Sequence, residues 1–172
     1  MTYTFKTART LDDIPDHQDF EALRREWFVL ATTELASIGG PKRTPDEMMV
    51  DFWPGMQEFL APNGCTILAL DESGALVGTG SLRKIGPDAC DLKRMFVRPA
   101  ARGARLGLEL VQRRIDEARD MGLQTVFSNT IHINHRMLQI YEGLGFRRIP
   151  RFPECHEPPK MDHLLIYLRL DL

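Results

Sequence analysis

A chain of 172 residues is the length of one ordinary domain and buries about 70% of the surface its unfolded form exposes, so its core needs no metal or disulfide. A formal net charge of −2 excludes a globally basic nucleic-acid binder, and no run is apolar for long enough to span a bilayer or to act as a leader. Three cysteines, Cys65, Cys90 and Cys155, are an odd number at no metal-like spacing and read as the reduced thiols of a soluble cytoplasmic protein.

Tyr3 to Thr7 alternate β-formers with polar residues and read as an edge or half-buried strand. A turn carrying Asp12, Asp13 and Asp16 leads to a helix from near Asp19 to Ile38, with Phe20, Leu23, Trp27, Leu30, Ala31 and Leu35 at helical spacing. Gly39-Gly40-Pro41 stops it. Thr44, Pro45 and Glu47 have the form of a capping box, opening a second helix that carries Met48, Met49, Phe52 and Trp53 before Pro54. Cys65–Asp71 and Ala75–Leu82 are two strands joined by Glu72-Ser73-Gly74, a hairpin signal.

After a turn over Lys84 to Asp88 comes the stretch Asp91 to Gly107. Leu92, Met95, Phe96 and Val97 make a strand that must stop by Pro99, because proline cannot donate to a ladder. A glycine-bearing turn follows. A helix then opens near Leu106, with Leu108, Val111, Ile115 and Ala118 on one face, and ends at Gly122. Strand, glycine turn and helix N-terminus together make an anion site, since first-turn N–H groups are free and glycine allows close approach. Gln124–Thr130 is the next strand, parallel to the previous one by the crossover rule. A short helix from Asn134 to about Glu142 ends at Gly143 or Gly145, and Phe146 enters a further strand. The loop Pro150–Asp162 holds four prolines and should not be regular, and His163–Leu170 is a final, central strand.

The segment Val97-Arg98-Pro99 followed by Arg102-Gly103-Ala104-Arg105-Leu106-Gly107 resembles motif A of the Gcn5-related N-acetyltransferases (GNAT). Arg105 stands where the strict pattern has a glycine. Downstream, Asn134, Tyr141 and Leu144-Gly145-Phe146 resemble motif B of the same family, in the right order, and the likeness covers roughly Val77 to Arg147. The resemblance implies an α/β (α+β) fold over residues 1–172, one acetyltransferase domain. Its central mixed, mostly antiparallel sheet would have about seven strands, with helices on both faces and a splay between the fourth and fifth strands. It also implies an enzyme transferring acetyl from acetyl-CoA to a primary amine of a small molecule, by direct attack in a ternary complex and without a metal. Two other readings stay open: a protein amine as acceptor, and a non-catalytic acyl-CoA-binding module.

Residue by residue, the resemblance assigns the main chain of Met95, Phe96 and Val97 to the pantetheine arm. The backbone of Arg102, Gly103, Ala104, Arg105, Leu106 and Gly107 is assigned to the pyrophosphate, with Asn134 at the cofactor arm. Tyr141 takes the part of general acid toward the leaving thiolate, although it also reads as a core residue sharing a face with Met137, Ile140 and Leu144. Asp91 lies where the family often has a glutamate acting as base, here through a water; the alternative is an outward-pointing solubiliser. His132, His135, Glu154, His156 and Glu157 are further candidates from loops near the acceptor side. Phe52, Trp53 and Met56 either contact substrate or, as their spacing favours, are core. Of the basic stripe Lys93, Arg94, Arg98, Arg102 and Arg105, the motif claims Arg102 and Arg105 and leaves Lys93 and Arg94 open. No nucleic-acid or membrane partner is expected, and a homodimer is the default assembly.

Overall fold

The structure, a computed structural model, describes residues 2–172. One seven-stranded sheet runs in the order β1-β2-β3-β4-β5-β7-β6. Its strands are β1 (Thr4–Ala8), β2 (Gly64–Leu70), β3 (Leu76–Lys84), β4 (Ala89–Val97), β5 (Thr125–Ile131), β6 (Arg147–Ile149) and β7 (Leu165–Asp171). Every neighbouring pair is antiparallel except β4 with β5. That pair is parallel because the helix α3 (Leu106–Asp120) crosses over between them. The mixed, mostly antiparallel sheet and the internal last strand match expectation.

Alternation along the strands builds two cores. On one face Ile67, Ala69, Leu82, Leu92 and Val126 pack against α3 and α4 (His135–Gly143). On the other, Leu68, Leu70, Leu76 and Phe96 pack against α1 (His17–Ser37) and the segment after α2 (Pro45–Met49). A third cluster around Phe127, Phe152, Met161 and Tyr167 closes the far end. Helices therefore cover both faces.

Local signals placed most elements within a residue or two. Thr44 and Glu47 do form a reciprocal capping box at the start of α2. Three expectations need correction. The second helix stops at Met49, and Phe52 and Trp53 lie in the turn before a 3₁₀ helix, Pro54–Phe59, because Pro54 fits only the first position of a new helical turn. Leu108 is 37% exposed; the buried face of α3 is Leu106, Leu110, Val111, Arg114, Ile115 and Ala118. The proline-rich loop contains a 3₁₀ helix from Pro159 to Leu164, again opened by prolines. Phe52 and Met56 are buried core residues. No helix among the described residues is long and apolar enough to cross a membrane.

Candidate active site

The site begins where β4 leaves β5. The two strands pair in parallel only from Ala89 with Thr125 to Leu92 with Ser128. Beyond Leu92 the β4 backbone turns away, and the cause is a bulge: Arg94 and Met95 together oppose Gly80, between the pairs Ser81–Lys93 and Thr79–Phe96. Arg94 sits in the left-handed region with φ 55°, a conformation that costs a non-glycine residue about 1–2 kcal/mol. The extra residue shifts the alternation by one. Lys93 and Arg94 thus both reach the α1 face, while Met95 and Val97 pack toward α3 and Phe96 toward α1.

A buried arginine clamps the bulge from the α3 side. Arg114 is 0% exposed, and each of its nitrogens has a partner. Nε donates to the Leu110 carbonyl at 2.9 Å, Nη1 to the carbonyls of Ser81 and Lys93 at 3.3 and 3.4 Å, and Nη2 to Met95 Sδ at 3.0 Å. Gly80 leaves the space for it, since a Cβ there would lie 2.8 Å from Nε.

Two adjoining hollows open at the fork. The larger, of about 490 Å³, lies over the α1 face and is walled by Trp27, Phe52, Phe59, Arg94, Tyr141 and Glu157, among others. The smaller, of about 170 Å³, follows the outer end of β4 to the start of α3. Met95, Phe96, Val97, Arg102, Gly103, Leu106, Gly107 and Asn134 all line it, so the structure brings most of the sequence-predicted cofactor residues to one groove. Ala104 and Arg105 are not in its wall. Arg102 folds back to donate from Nε to the Val97 carbonyl at 3.1 Å.

The turn before α3 shows what its glycines do. Gly103 has φ 98°, and Arg105, the N-cap, takes φ 60° and ψ 12°. The non-glycine residue therefore keeps the left-handed backbone that a glycine adopts without strain. Gly107 serves packing instead, since a Cβ there would press on Ile140 and Met95 at 3.3 Å. The first-turn N–H groups of α3 have no intrahelical acceptor.

Tyr141 lies in the crotch of the fork, 3% exposed, with its hydroxyl 2.9 Å from Ser128 Oγ. Ser128 is the last paired residue of β5 and also reaches the Leu92 carbonyl at 3.3 Å. The Arg114 guanidinium lies beside the same hydroxyl. Asn134 caps α4, its Oδ1 accepting from Met137 N–H at 3.3 Å, and its amide nitrogen has no partner among the described residues.

Asp91 is placed differently from either expectation. It is 0% exposed, so it is no outward solubiliser, yet it does not line the larger hollow. Its Oδ2 lies 3.5 Å from Arg83 Nη2 and 3.6 Å from Lys93 Nζ, and Arg83 also pairs with Glu58 while Lys93 bonds Glu157 at 2.9 Å. Burial raises the Asp91 pKa, outweighing both cations. Burial also opposes the charge on Lys93, but Asp91 and Glu157 overcome it and hold its pKa up. Arg83, Lys93, His156 and Glu157 face the hollow; His132, His135 and Glu154 do not.

Sequence reasoning passed over Ser128, Arg114, Arg24 and Glu34. Glu34 lines both hollows, and burial raises its pKa against the pull of Arg102. Two of the four did leave a trace. Arg114 falls four residues after Leu110, and Arg24 four after Phe20 and four before Phe28, so each is a charge set inside an apolar stripe.

A parallel pair split beside a helix N-terminus sets a strand edge next to free N–H groups, an arrangement suited to an extended, anionic ligand. The family model described as the acetyltransferase (GNAT) family matches residues 20–146. An N-acetyltransferase of Schizosaccharomyces pombe is 29% identical over 119 residues, 68% of this chain and 69% of that one. The IAA acetyltransferase of Azospirillum brasilense is 34% identical over 88 residues, 51% of this chain and 58% of its own. Among solved structures, an acetyltransferase from Streptococcus agalactiae superposes with a TM-score of 0.73 at 20% identity, covering 98% of both chains. A Salmonella typhimurium protein solved with its cofactor acetyl-CoA gives 0.66 at 20% identity, covering 99% of this chain and 94% of that one. The chain belongs to the acetyltransferase (GNAT) family, and it is an N-acetyltransferase using acetyl-CoA.

Proposed function

We propose that this enzyme acetylates the primary amine of a small molecule, the amine attacking the thioester directly while donor and acceptor are both bound. The observation that carries this is the fork, which joins a groove along the β4 edge to a wider hollow. A hollow of about 490 Å³ lies in the range that takes small ligands. Donor amides of the pantetheine arm pair with the β4 edge at Met95, Phe96 and Val97, and Asn134 offers its unpartnered amide nitrogen. The first turn of α3 and the backbone from Arg102 to Gly107 meet the pyrophosphate.

At the crotch, a backbone N–H of the bulged strand supports the oxyanion of the tetrahedral intermediate. Tyr141 then gives its proton to the departing thiolate, its hydroxyl held in place by Ser128. The acceptor must arrive neutral, and for an alkylamine with a pKa near 10.4 that costs about 4–5 kcal/mol at pH 7. Asp91 is too enclosed to touch the amine. In this reading it is the counter-charge behind Lys93 and Arg83, and a proton reaches it only through a water.

Tyr141→Phe tests the assignment. With acetyl-CoA and an amine that the wild type turns over, kcat should fall by about 10²–10⁴-fold while the acetyl-CoA melting shift persists. Unchanged turnover with an unchanged pH profile removes Tyr141 from the chemistry. Acetyl-CoA binding without turnover of any small amine would move the acceptor to a protein, or make the chain a binding module.

A further inference from the structure

The larger hollow contains a cation that no carboxylate contacts, although Glu58 lies near enough to favour its charge. Arg83 and Lys93 have carboxylate partners in Glu58, Asp91 and Glu157, and Arg43 lies at the exposed rim. Arg94 has none within 4 Å among the described residues. Its guanidinium stands 4.1 Å from the Phe59 ring centre and 5.6 Å from that of Phe52. Nη1 donates to Met56 Sδ at 2.9 Å and Nη2 to the Gly55 carbonyl at 3.3 Å. Both acceptors are neutral, and the sulfur is a weak one, for a charge that burial pushes down to a pKa of about 10.

Directly behind it is a second bare cation. Arg24 on α1 is 0% exposed and lies over the rings of Trp27 and Phe52. Its Nη2 donates to the Arg94 carbonyl at 3.2 Å, and its Nε and Nη1 have no hydrogen-bond partner among the described residues. Two guanidinium groups that repel each other, on a strained backbone and facing aromatic walls, make a poor structural arrangement. Removing a charge from water is costly unless an anion compensates it. Unpaired buried charge at a cleft marks a place where a ligand supplies the missing partner.

We infer that the acceptor is an amino-carboxylate, an amino acid or a close analogue, whose carboxylate docks on Arg94 with Arg24 adding its field from behind. This rests on the small-molecule reading above and narrows it. A guanidinium presents two parallel N–H groups to a carboxylate, so the pairing fixes orientation as well as affinity and directs the amine toward the fork. The same chemistry could come from an acidic acyl group on the donor, so the experiment separates the two sources.

Amino acids are compared with their own amides and decarboxylated amines, using acetyl-CoA throughout. The acids should be preferred by about 10²-fold or more in kcat/KM, since a site built around a polar partner rejects the analogue lacking it. Arg94→Gln should collapse that preference toward one through KM, and Arg24→Met should reduce it, while both keep the melting shift with CoA. Amides and amines used as well as acids would overturn the inference and leave the N-acetyltransferase reading standing. If no small amine turns over, melting shifts with CoA plus each acid or amide decide instead: a shift for acids alone, lost in Arg94→Gln, supports it, and equal or absent shifts sink it. A preference for succinyl-CoA over acetyl-CoA that Arg94→Gln abolishes would assign Arg94 to the donor and overturn the acceptor assignment.

Discussion

Arg114 and Arg24 are two fully buried arginines on opposite sides of the same bulge, and they are held in opposite ways. Under the sheet, every nitrogen of Arg114 has an acceptor, so its charge is spread over the carbonyls of Leu110, Ser81 and Lys93 and the Met95 sulfur. Above the sheet, Arg24 makes one hydrogen bond and leaves two nitrogens bare. Burial alone does not separate a structural charge from a functional one. Satisfaction does, because a satisfied cation stabilises its fold and an unsatisfied one costs stability until something binds.

That contrast predicts a large difference in stability. Arg114→Ala should destabilise by about 3–5 kcal/mol in urea titration, because it removes the hydrogen bonds to the carbonyls of Ser81 and Lys93, empties a buried site and releases the bulge. Arg24→Met should stay within about 1 kcal/mol of wild type, or exceed it, because an unpaired buried cation is exchanged for an apolar chain of similar reach. Equal losses in the two variants would break the comparison. Gly80→Ala sharpens it at a smaller scale: the new Cβ presses on Arg114 Nε, and about 1–3 kcal/mol should be lost. Arg114→Met should relieve much of that penalty in the double variant, which a double-mutant cycle would detect.

Smaller effects follow from the backbone and from the thiols on the Arg114 side. Arg105→Gly should stabilise by up to about 1 kcal/mol, the relief of a left-handed residue less the freedom glycine adds to the unfolded chain. Burial pushes the thiols of Cys65 and Cys90 from the ordinary 9.0 up to about 12. A folded pKa raised above its unfolded value means that their contribution is whole below pH 9 and is lost as pH rises from 9 toward 12. Melting temperature should therefore be flat for these groups from pH 7 to 8.5 and fall above it. At neutral pH a thiol reagent should modify native Cys65 and Cys90 far more slowly than the unfolded chain; rapid native labelling would show that this core opens readily.

What could be read directly was local. Pro99, Gly103, the Thr44–Glu47 box and the spacing of Val111, Ile115 and Ala118 each act over a few residues, so strand ends, turn, cap and crossover helix were legible. The motif likeness named Met95, Phe96, Val97, Arg102, Gly103, Leu106, Gly107 and Asn134, which line the smaller hollow, and Tyr141, which lines the larger; Ala104 and Arg105 lie in neither wall. Asp91 was readable only as a residue type at a position, because its surroundings come from Arg83, Lys93 and, through Lys93, Glu157, up to sixty-six residues away.

The sequence by itself determined a mixed sheet with one parallel crossover, a glycine turn at a helix N-terminus and a tyrosine on a short helix, since those follow from periodicities and turn chemistry that neighbours enforce. Only the tertiary structure decided which charges are answered. Arg114, Arg24 and Arg94 look alike in one dimension, each one of two adjacent cations beside Arg113, Arg25 and Lys93. Their difference lies in carbonyls and carboxylates brought from distant strands and loops. Electrostatic satisfaction depends on distances of about 3 Å between groups far apart in the chain, and only folding sets those distances.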